Sequence, residues 1–373
     1  MYLLIHDLTA EEWNRIAESY STWTVISDTG TIRPCIGCFR CWTGGTGKCV
    51  FRDGYDSMGS LIHEAEEMIV MSRYTYGGFS SFVKNVFDRS IGYVLPEFET
   101  AYGEMHHKRR FPEEKPVTFR FRGCHLTADE KEKAAAYAAA VCRNLRGRVK
   151  DVLFDDCDPT EEAQALSEAP PCEPAARCGI LFIDCSLRGS RSNTRVFLKK
   201  LKAALKAPAS LVSLSSGVEM KKIAEAMGRA ETVVMGIPLY VDGLPASALQ
   251  LMDKVKALGT GSRCNLYALV NNGLYESRQN VNLLSMIKDF CTANGFVYRG
   301  ALAIGAGEVV GTLMRGRSRC LWPARNARSG IACLAKAIRE GCQTEDIYAD
   351  PFLFPRWLYI LIANVNWQRL KKR

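Results

Sequence analysis

An alternation of short apolar runs with longer amphipathic segments passes along this chain twice, and few folds accommodate it. Tyr2 to His6 reads as a buried strand, Ala10 to Tyr20 as a helix and Trp23 to Ser27 as a second strand. Helices at 58–67, 79–93 and 128–145 then alternate with strands at 68–72, 117–121 and 149–154. Between Asp155 and Arg177 the pattern fails, because Pro159, Pro170, Pro171 and Pro174 interrupt a stretch of Asp, Glu and Ala. It restarts at Cys178 to Cys185 and continues through strands at 209–214, 232–236, 265–271 and 296–304, with helices between them. Strand and helix in strict alternation imply a parallel sheet covered on both faces. The expectation is two tandem doubly wound α/β domains, each with a five-stranded parallel sheet, at 1–156 and 178–343. Residues 157–177 read as a linker and 344–373 as an aromatic, basic tail.

The repetition reaches individual residues. Residues 71–89 align without gaps on 236–254, matching Gly78 with Gly243, Phe79 with Leu244 and Asp88 with Asp253. Both stretches follow the third strand of their unit, and this shared place carries more weight than the three matches.

Composition narrows the partners. The chain has 373 residues, 47% hydrophobic and 24% charged, a globular balance that suits two domains. Its net charge of +9 is not gathered in one basic block, so no nucleic-acid partner is expected and small anionic ligands fit better. The opening residues turn polar after five positions and lack the pattern of a secretory signal. A cytoplasmic location is therefore expected, where the 15 cysteines serve metal or catalytic roles rather than disulfides.

Four of these cysteines, Cys35, Cys38, Cys41 and Cys49, crowd into fifteen positions. Three tightly spaced thiols with a fourth nearby can wrap an iron–sulfur cluster. Zinc also takes four thiolates, though usually as two separated pairs. Thiols with redox or structural roles are the third option. Cys124, Cys142, Cys178, Cys185, Cys264 and Cys291 read as small core residues.

In an open parallel sheet, ligands bind beyond the carboxyl ends of the strands. Three such loops stand out in the second half. The first carries Ser186, Arg188, Ser190, Ser192, Asn193 and Thr194 directly before a helix, which suits a phosphate nest, although one such residue would serve as an ordinary cap. The second, Pro238, Leu239, Tyr240, Val241, Asp242 and Gly243, could lie along a flat ring or be a plain turn. The third offers Asn271, Asn272, Gly273, Tyr275 and Glu276. Together they describe a mononucleotide site with an aromatic head group.

On these motifs residues 178 to 310 resemble the flavodoxin-like NADPH-dependent FMN reductases. The resemblance implies FMN, its phosphate on the first loop and its isoalloxazine between the second and third. Residues 1 to about 155 resemble the iron–sulfur flavoprotein branch of the same superfamily. That likeness rests on Pro34, Cys35, Cys38, Cys41, Trp42 and Cys49, on Tyr76 to Ser80, on Lys84 to Ser90 and on Gly103 to His107. It implies a 4Fe-4S cluster on the four cysteines and a flavodoxin-like fold for both domains. The first domain departs at its phosphate loop, where residues 6 to 15 (HDLTAEEWNR) contain no glycine and bring acidic residues that repel phosphate. Arg73 also replaces the usual proline of the second loop. One FMN per chain is expected.

The resemblance implies a flavin-dependent NAD(P)H oxidoreductase that passes electrons through the cluster to a small-molecule or protein acceptor, without a protein acid or base. Its alternative is an electron carrier or redox sensor whose cysteines hold zinc or act as free thiols. The tandem domains read as an internal pseudo-dimer, with further self-association left open. His106, His107, Lys108, Arg109 and Arg110 read as a solvated loop or as a clamp for phosphate. Residues 352 to 373 are too short and interrupted to span a bilayer, and suit either packing on the second domain or peripheral contact with an anionic membrane.

Overall fold

The computed structural model describes residues 1–156, 179–259, 263–316 and 322–372. The expected linker, 157–177, and Cys178 lie outside them. By contacts, the chain divides into two compact units: Met1–Ala101, His106–Ala165 and Ile360–Arg373 form the first, and Tyr102–Met105 and Leu166–Tyr359 the second.

Unit 1 is built on β1 (Tyr2–His6), α1 (Ala10–Ile16), β2 (Thr24–Ile26), α2 (Arg40–Thr43), α3 (Met58–Glu64), β3 (Glu67–Arg73) and α4 (Ser81–Asp88). The hairpin strands β4 (Val94–Ala101) and β5 (Glu104–Arg109) follow, then β6 (Pro116–Arg122), α5 (Ala128–Asn144) and β7 (Arg148–Asp155). The five strands expected from the apolar runs form one parallel sheet in the order β2-β1-β3-β6-β7. Counted along the sheet this is 2-1-3-4-5, the order of flavodoxin-like doubly wound folds, which reverses direction between β1 and β3.

Unit 2 holds β8 (Ile180–Asp184), α6 (Asn193–Leu205), β9 (Ala209–Ser213), α7 (Met220–Arg229), β10 (Thr232–Pro238), α8 (Ala246–Leu258), β11 (Asn265–Asn271), α9 (Val281–Asn294) and β12 (Val297–Ile304). Then come α10 (Gly307–Arg315), α11 (Arg325–Glu340), β13 (Ile347–Ala349) and α12 (Arg356–Lys371), whose last residues are counted in unit 1. Its parallel sheet runs β9-β8-β10-β11-β12-β13. The sheet therefore has six strands, not five. The sixth pairs only Ile347 to Ala349 with β12, and three residues are too few to show a period.

The two sheets repeat one another in detail. The ungapped alignment holds element by element: β3 and β10, and the first residues of α4 and α8, are each offset by 165 positions. Each strand leads into a two-residue turn closed by one bridge, Thr75 to Gly78 and Tyr240 to Gly243. In each turn both central residues have positive φ: Tyr76 and Gly77 in one, Val241 and Asp242 in the other. A register shift opens after Val117 in the β6–β7 pair and after Leu266 in the β11–β12 pair, leaving Lys150 and Arg299 as the extra residues of matching β-bulges.

Two expectations in unit 1 need correction. The basic stretch after residue 105 is not a loop, since as far as Arg109 it belongs to β5, with His106 buried beside Asn144 and His107 set between Trp42 and Phe98. Strand alternation explains how adjacent residues of one basic run face different surroundings. Cys124 is not a core residue either: it lies half-buried in a turn and is disulfide-bonded. Cys142, Cys185, Cys264 and Cys291 are buried, as expected.

Candidate functional site

The strand order of unit 2 reverses between β8 and β10, so the loops leaving those strands flank a crevice at the carboxyl edge of the sheet. Asn271, at the end of β11, ties all three candidate loops together. Its Oδ1 accepts from the Thr194 hydroxyl at 2.7 Å, in the first loop. Its main-chain oxygen accepts from Leu239 N–H at 2.8 Å, in the second. Asn272 then holds the third loop in place by donating to the Glu276 carbonyl at 2.8 Å.

The first loop ends in an open helix start. Ser192 caps α6 by accepting from Arg195 N–H at 3.1 Å, the third position of the helix. The N–H groups of Asn193 and Thr194 are the orphan donors of that first turn. Ser186, Ser192 and Thr194 are buried, Arg188 is half-buried and Ser190 is exposed. Beneath the loop, buried Asp184 accepts from Ser186 N–H, from Arg195 Nε at 3.0 Å and from the Ser213 hydroxyl at 3.2 Å. Burial pushes its carboxyl up, against the pull of those three donors. Arg188 pairs with Glu308 of α10 at 2.8 Å, so an anion recruiting this guanidinium competes with a carboxylate already present.

The second loop is the positive-φ turn. Val241 sits at φ 39° and Asp242 at 57°, and a β-branched residue there is strained backbone of the kind found at ligand sites. In the third loop, Tyr275 donates to the Phe354 carbonyl at 2.7 Å, while Glu276 pairs with Arg356 at 2.6 Å and accepts from Met105 N–H at 3.1 Å. These two side chains are thus engaged by neighbouring segments of unit 2, whereas Asn271 faces the first and second loops. Asn193 Oδ1 and Asn272 Oδ1 are buried acceptors without a hydrogen-bond partner. A Cβ on Gly311 would overlap the Asn193 side chain, so α10 presses directly on the loop. Two orphan N–H donors in the first turn of α6 and several hydroxyls at one switch point fit a phosphate-bearing cofactor such as FMN. Sequence reading missed Asp184, Ser213 and Glu308, because each comes from a different element and only the fold brings them to the loop.

The matching place in unit 1 is filled by its own side chains. Thr9 and Glu12 form a reciprocal capping box on α1, and Glu12 also pairs with Arg122. Burial pushes the Glu12 carboxyl up, but its hydrogen bonds from Arg122 and Thr9 prevail and hold it at about 2. His6 stacks on Trp13 at 4.5 Å, and burial lowers its imidazole to about 4. Asp7 accepts from Arg73 N–H at 3.0 Å, closing the second loop over the first. The carboxylates of Asp7 and Glu12 thus occupy the loop and helix start that follow β1.

The four cysteines of unit 1 lie in the loop after β2, again at the carboxyl edge. A latch closes the base of this loop: Arg33 N–H donates to Asp53 at 3.0 Å, and the fully buried Arg89 side chain grips Asp53 with two hydrogen bonds, at 2.5 and 2.8 Å. Arg89 also donates to the carbonyls of Arg33 and Phe51, and its guanidinium lies beside Cys49. Lys84 and Asp88 form a buried ion pair one turn earlier, with Asp88 close enough to Cys35 to raise its thiol. Trp42 anchors the middle of the loop by donating to the carbonyls of Ile91 and Val94, while Trp367 packs edge-on against both Phe39 and Trp42. Gly47 meets Gly92 so closely that a Cβ on Gly92 would overlap the Gly47 carbonyl.

The thiols sense one another. Burial pushes Cys35 up, with Asp88, Cys41 and Cys49 adding to it, and burial with Cys38 and Cys49 raises Cys41 to about 12. Among the described residues no group of three or more His, Cys, Asp or Glu side chains is arranged to hold a metal ion. What unit 1 offers is four thiols on one loop, latched at its base and shielded by aromatic rings.

No protein-family profile matches the chain, and no curated protein matches it. Among solved structures, the Trp repressor binding protein from Bacillus subtilis aligns over 38% of this chain and 99% of its own, with 15% sequence identity and a TM-score of 0.27. At that score the likeness carries no argument.

Proposed function

We propose that this chain is an oxidoreductase in which unit 2 binds FMN and the four cysteines of unit 1 hold an iron–sulfur cluster. The observation that supports this reading most is the junction at Asn271, which draws the three loops to the switch point beside unpaired buried acceptors. The first turn of α6 and the hydroxyls of Ser186, Ser190 and Ser192 would bind the phosphate. The Tyr240 to Gly243 turn would lie against the ring, and Asn271 would fix the spacing of the loops around it. Bound FMN supplies two-electron exchange with NAD(P)H and one-electron exchange with a cluster.

In unit 1 the residues serve the cage by position. Arg89 and Asp53 preform the loop, and the Arg89 guanidinium beside Cys49 sets a cation next to the cage. Protein purified without oxygen tests the proposal: one flavin per chain, bound iron and steady NAD(P)H oxidation with an added acceptor are expected. Failure to bind added FMN would remove the flavin reading. Absent iron in protein that binds flavin would return the cage to zinc or free thiols.

A further inference from the structure

The C-terminal helix α12 is apolar on more than one side but is packed on only one. Tyr359 and Trp367 are buried, and Asn364 pins the helix to β4 by accepting from Phe98 N–H at 2.7 Å and donating to the Phe98 carbonyl at 3.0 Å. On the other side Leu361, Ile362 and Val365 stand in water, Leu361 at 55% exposure. Helical spacing places Trp357, 68% exposed, one turn before Leu361 on the same stripe. Toward the helix end this face turns basic, with exposed Arg369 and Lys372. From Phe352 to Arg373 the chain has five Arg and Lys and no Asp or Glu.

We propose that this face of α12 docks on an anionic lipid surface, lying in the plane of the membrane with Trp357, Leu361, Ile362 and Val365 among the headgroups and acyl chains. The inference is independent of the flavin and cluster reading. An interfacial helix needs an apolar stripe, an aromatic residue at headgroup depth and cations for the lipid phosphates. This one supplies all three. The absence of acidic residues favours lipid over a second copy of the chain, because self-pairing would bring like charges together without a countercharge on the same segment. No helix among the described residues is long and apolar enough to cross a membrane, so the contact is peripheral.

The test is co-sedimentation of the full-length protein with vesicles of phosphatidylcholine containing roughly one third phosphatidylglycerol, and with phosphatidylcholine alone. Binding is expected to the first, weakening as salt rises, and to be much poorer to the second. L361E/V365E should lower binding at least about tenfold, since each change trades a buried apolar side chain for a charge. R369Q/K372Q should lower it about tenfold on the anionic vesicles alone. These positions are exposed, so a thermal melt matching wild type confirms that the variants are folded. Equal binding to both vesicles, or wild-type binding by L361E/V365E, overturns the proposal. So does a wild-type dimer in analytical ultracentrifugation that L361E/V365E makes monomeric without any vesicle binding, which would assign the face to a second copy.

Discussion

Units 1 and 2 use one frame for opposite ends. In both, the first strand feeds a loop and a helix at the carboxyl edge of the sheet, and the third strand feeds a positive-φ turn. The difference sits at the third residue of the first helix. In unit 1 it is Glu12, which reaches back to Thr9 N–H at 2.7 Å and closes the helix start. In unit 2 it is Arg195, whose side chain turns away to Asp184, while the Ser192 N–H donates to the Gly189 carbonyl at 3.2 Å. One side chain thus separates a helix start closed by its own carboxylate from one that carries a cation instead. A second contrast lies one helix later, where Lys84 in unit 1 corresponds to buried Leu249 in unit 2, so the buried ion pair beneath the cysteines has no counterpart.

Transplanting the plug tests this most severely. Arg195→Glu would recreate the unit 1 capping box with Ser192, and FMN retention should fall at least about a hundredfold, more than two hydrogen-bond equivalents. Because the change also unpairs Asp184, Arg195→Gln is the control; isothermal titration should show a smaller loss for it. Equal losses would mean that the carboxylate is not what closes the site.

Next in size is the buried pair. Asp88→Ala removes the carboxylate paired with the buried Lys84 ammonium and should cost about 3–5 kcal/mol in denaturant unfolding. Asp253→Ala, at the repeat-related and exposed position, should change stability by less than about 0.5 kcal/mol. Similar costs would erase the distinction between the two helices.

How much of this was legible beforehand follows from element length and from who touches whom. All five strands of the first sheet stood out as apolar runs, and the three loops of unit 2 were recognisable from their own residues. The β4–β5 hairpin was hidden because His106 to Arg110 looks like a charged surface run, although alternation buries part of it. The sixth strand, at three residues, gives no period to read. Glu308 lies 120 residues from the arginine it holds, and no local pattern announces such a pair.

Arg188 sharpens the comparison more gently. Losing one charge-assisted hydrogen bond to phosphate is worth about 1.5–3 kcal/mol, and the existing Glu308 pair places the effect of Arg188→Ala near the lower end, about tenfold in FMN affinity by fluorescence titration. Glu308→Gln should strengthen binding by a few-fold, and a loss there would show that Glu308 holds the loop rather than competing for it.

The smallest effect belongs to the plug itself. Glu12→Gln should cost about 1 kcal/mol, as loss of a helix cap does. Because the folded-state pKa is lowered to about 2, the ionised Glu12 stabilises unit 1 fully above about pH 4.5, and that contribution fades as the pH falls toward 2. The difference between wild type and variant in thermal melts should therefore shrink through that window.

The seam between Gly47 and Gly92 bears on how the chain is made. The cysteines at 35 to 49 leave the ribosome well before Arg89 and the turn at 91–93 that receives their loop. Until those residues follow and fold, the thiols have no seat, and the emerging segment is an unguarded set of four. Synthesis therefore imposes a waiting period in which oxidation or stray metals can reach the cysteines, and it outlasts the helix that carries Lys84 and Asp88, because Trp42 is seated on Ile91 and Val94 and covered by Trp367. Conditions that slow translation across 50 to 95 should raise the share of chains oxidised at 35 to 49, read by thiol titration, without altering a single residue.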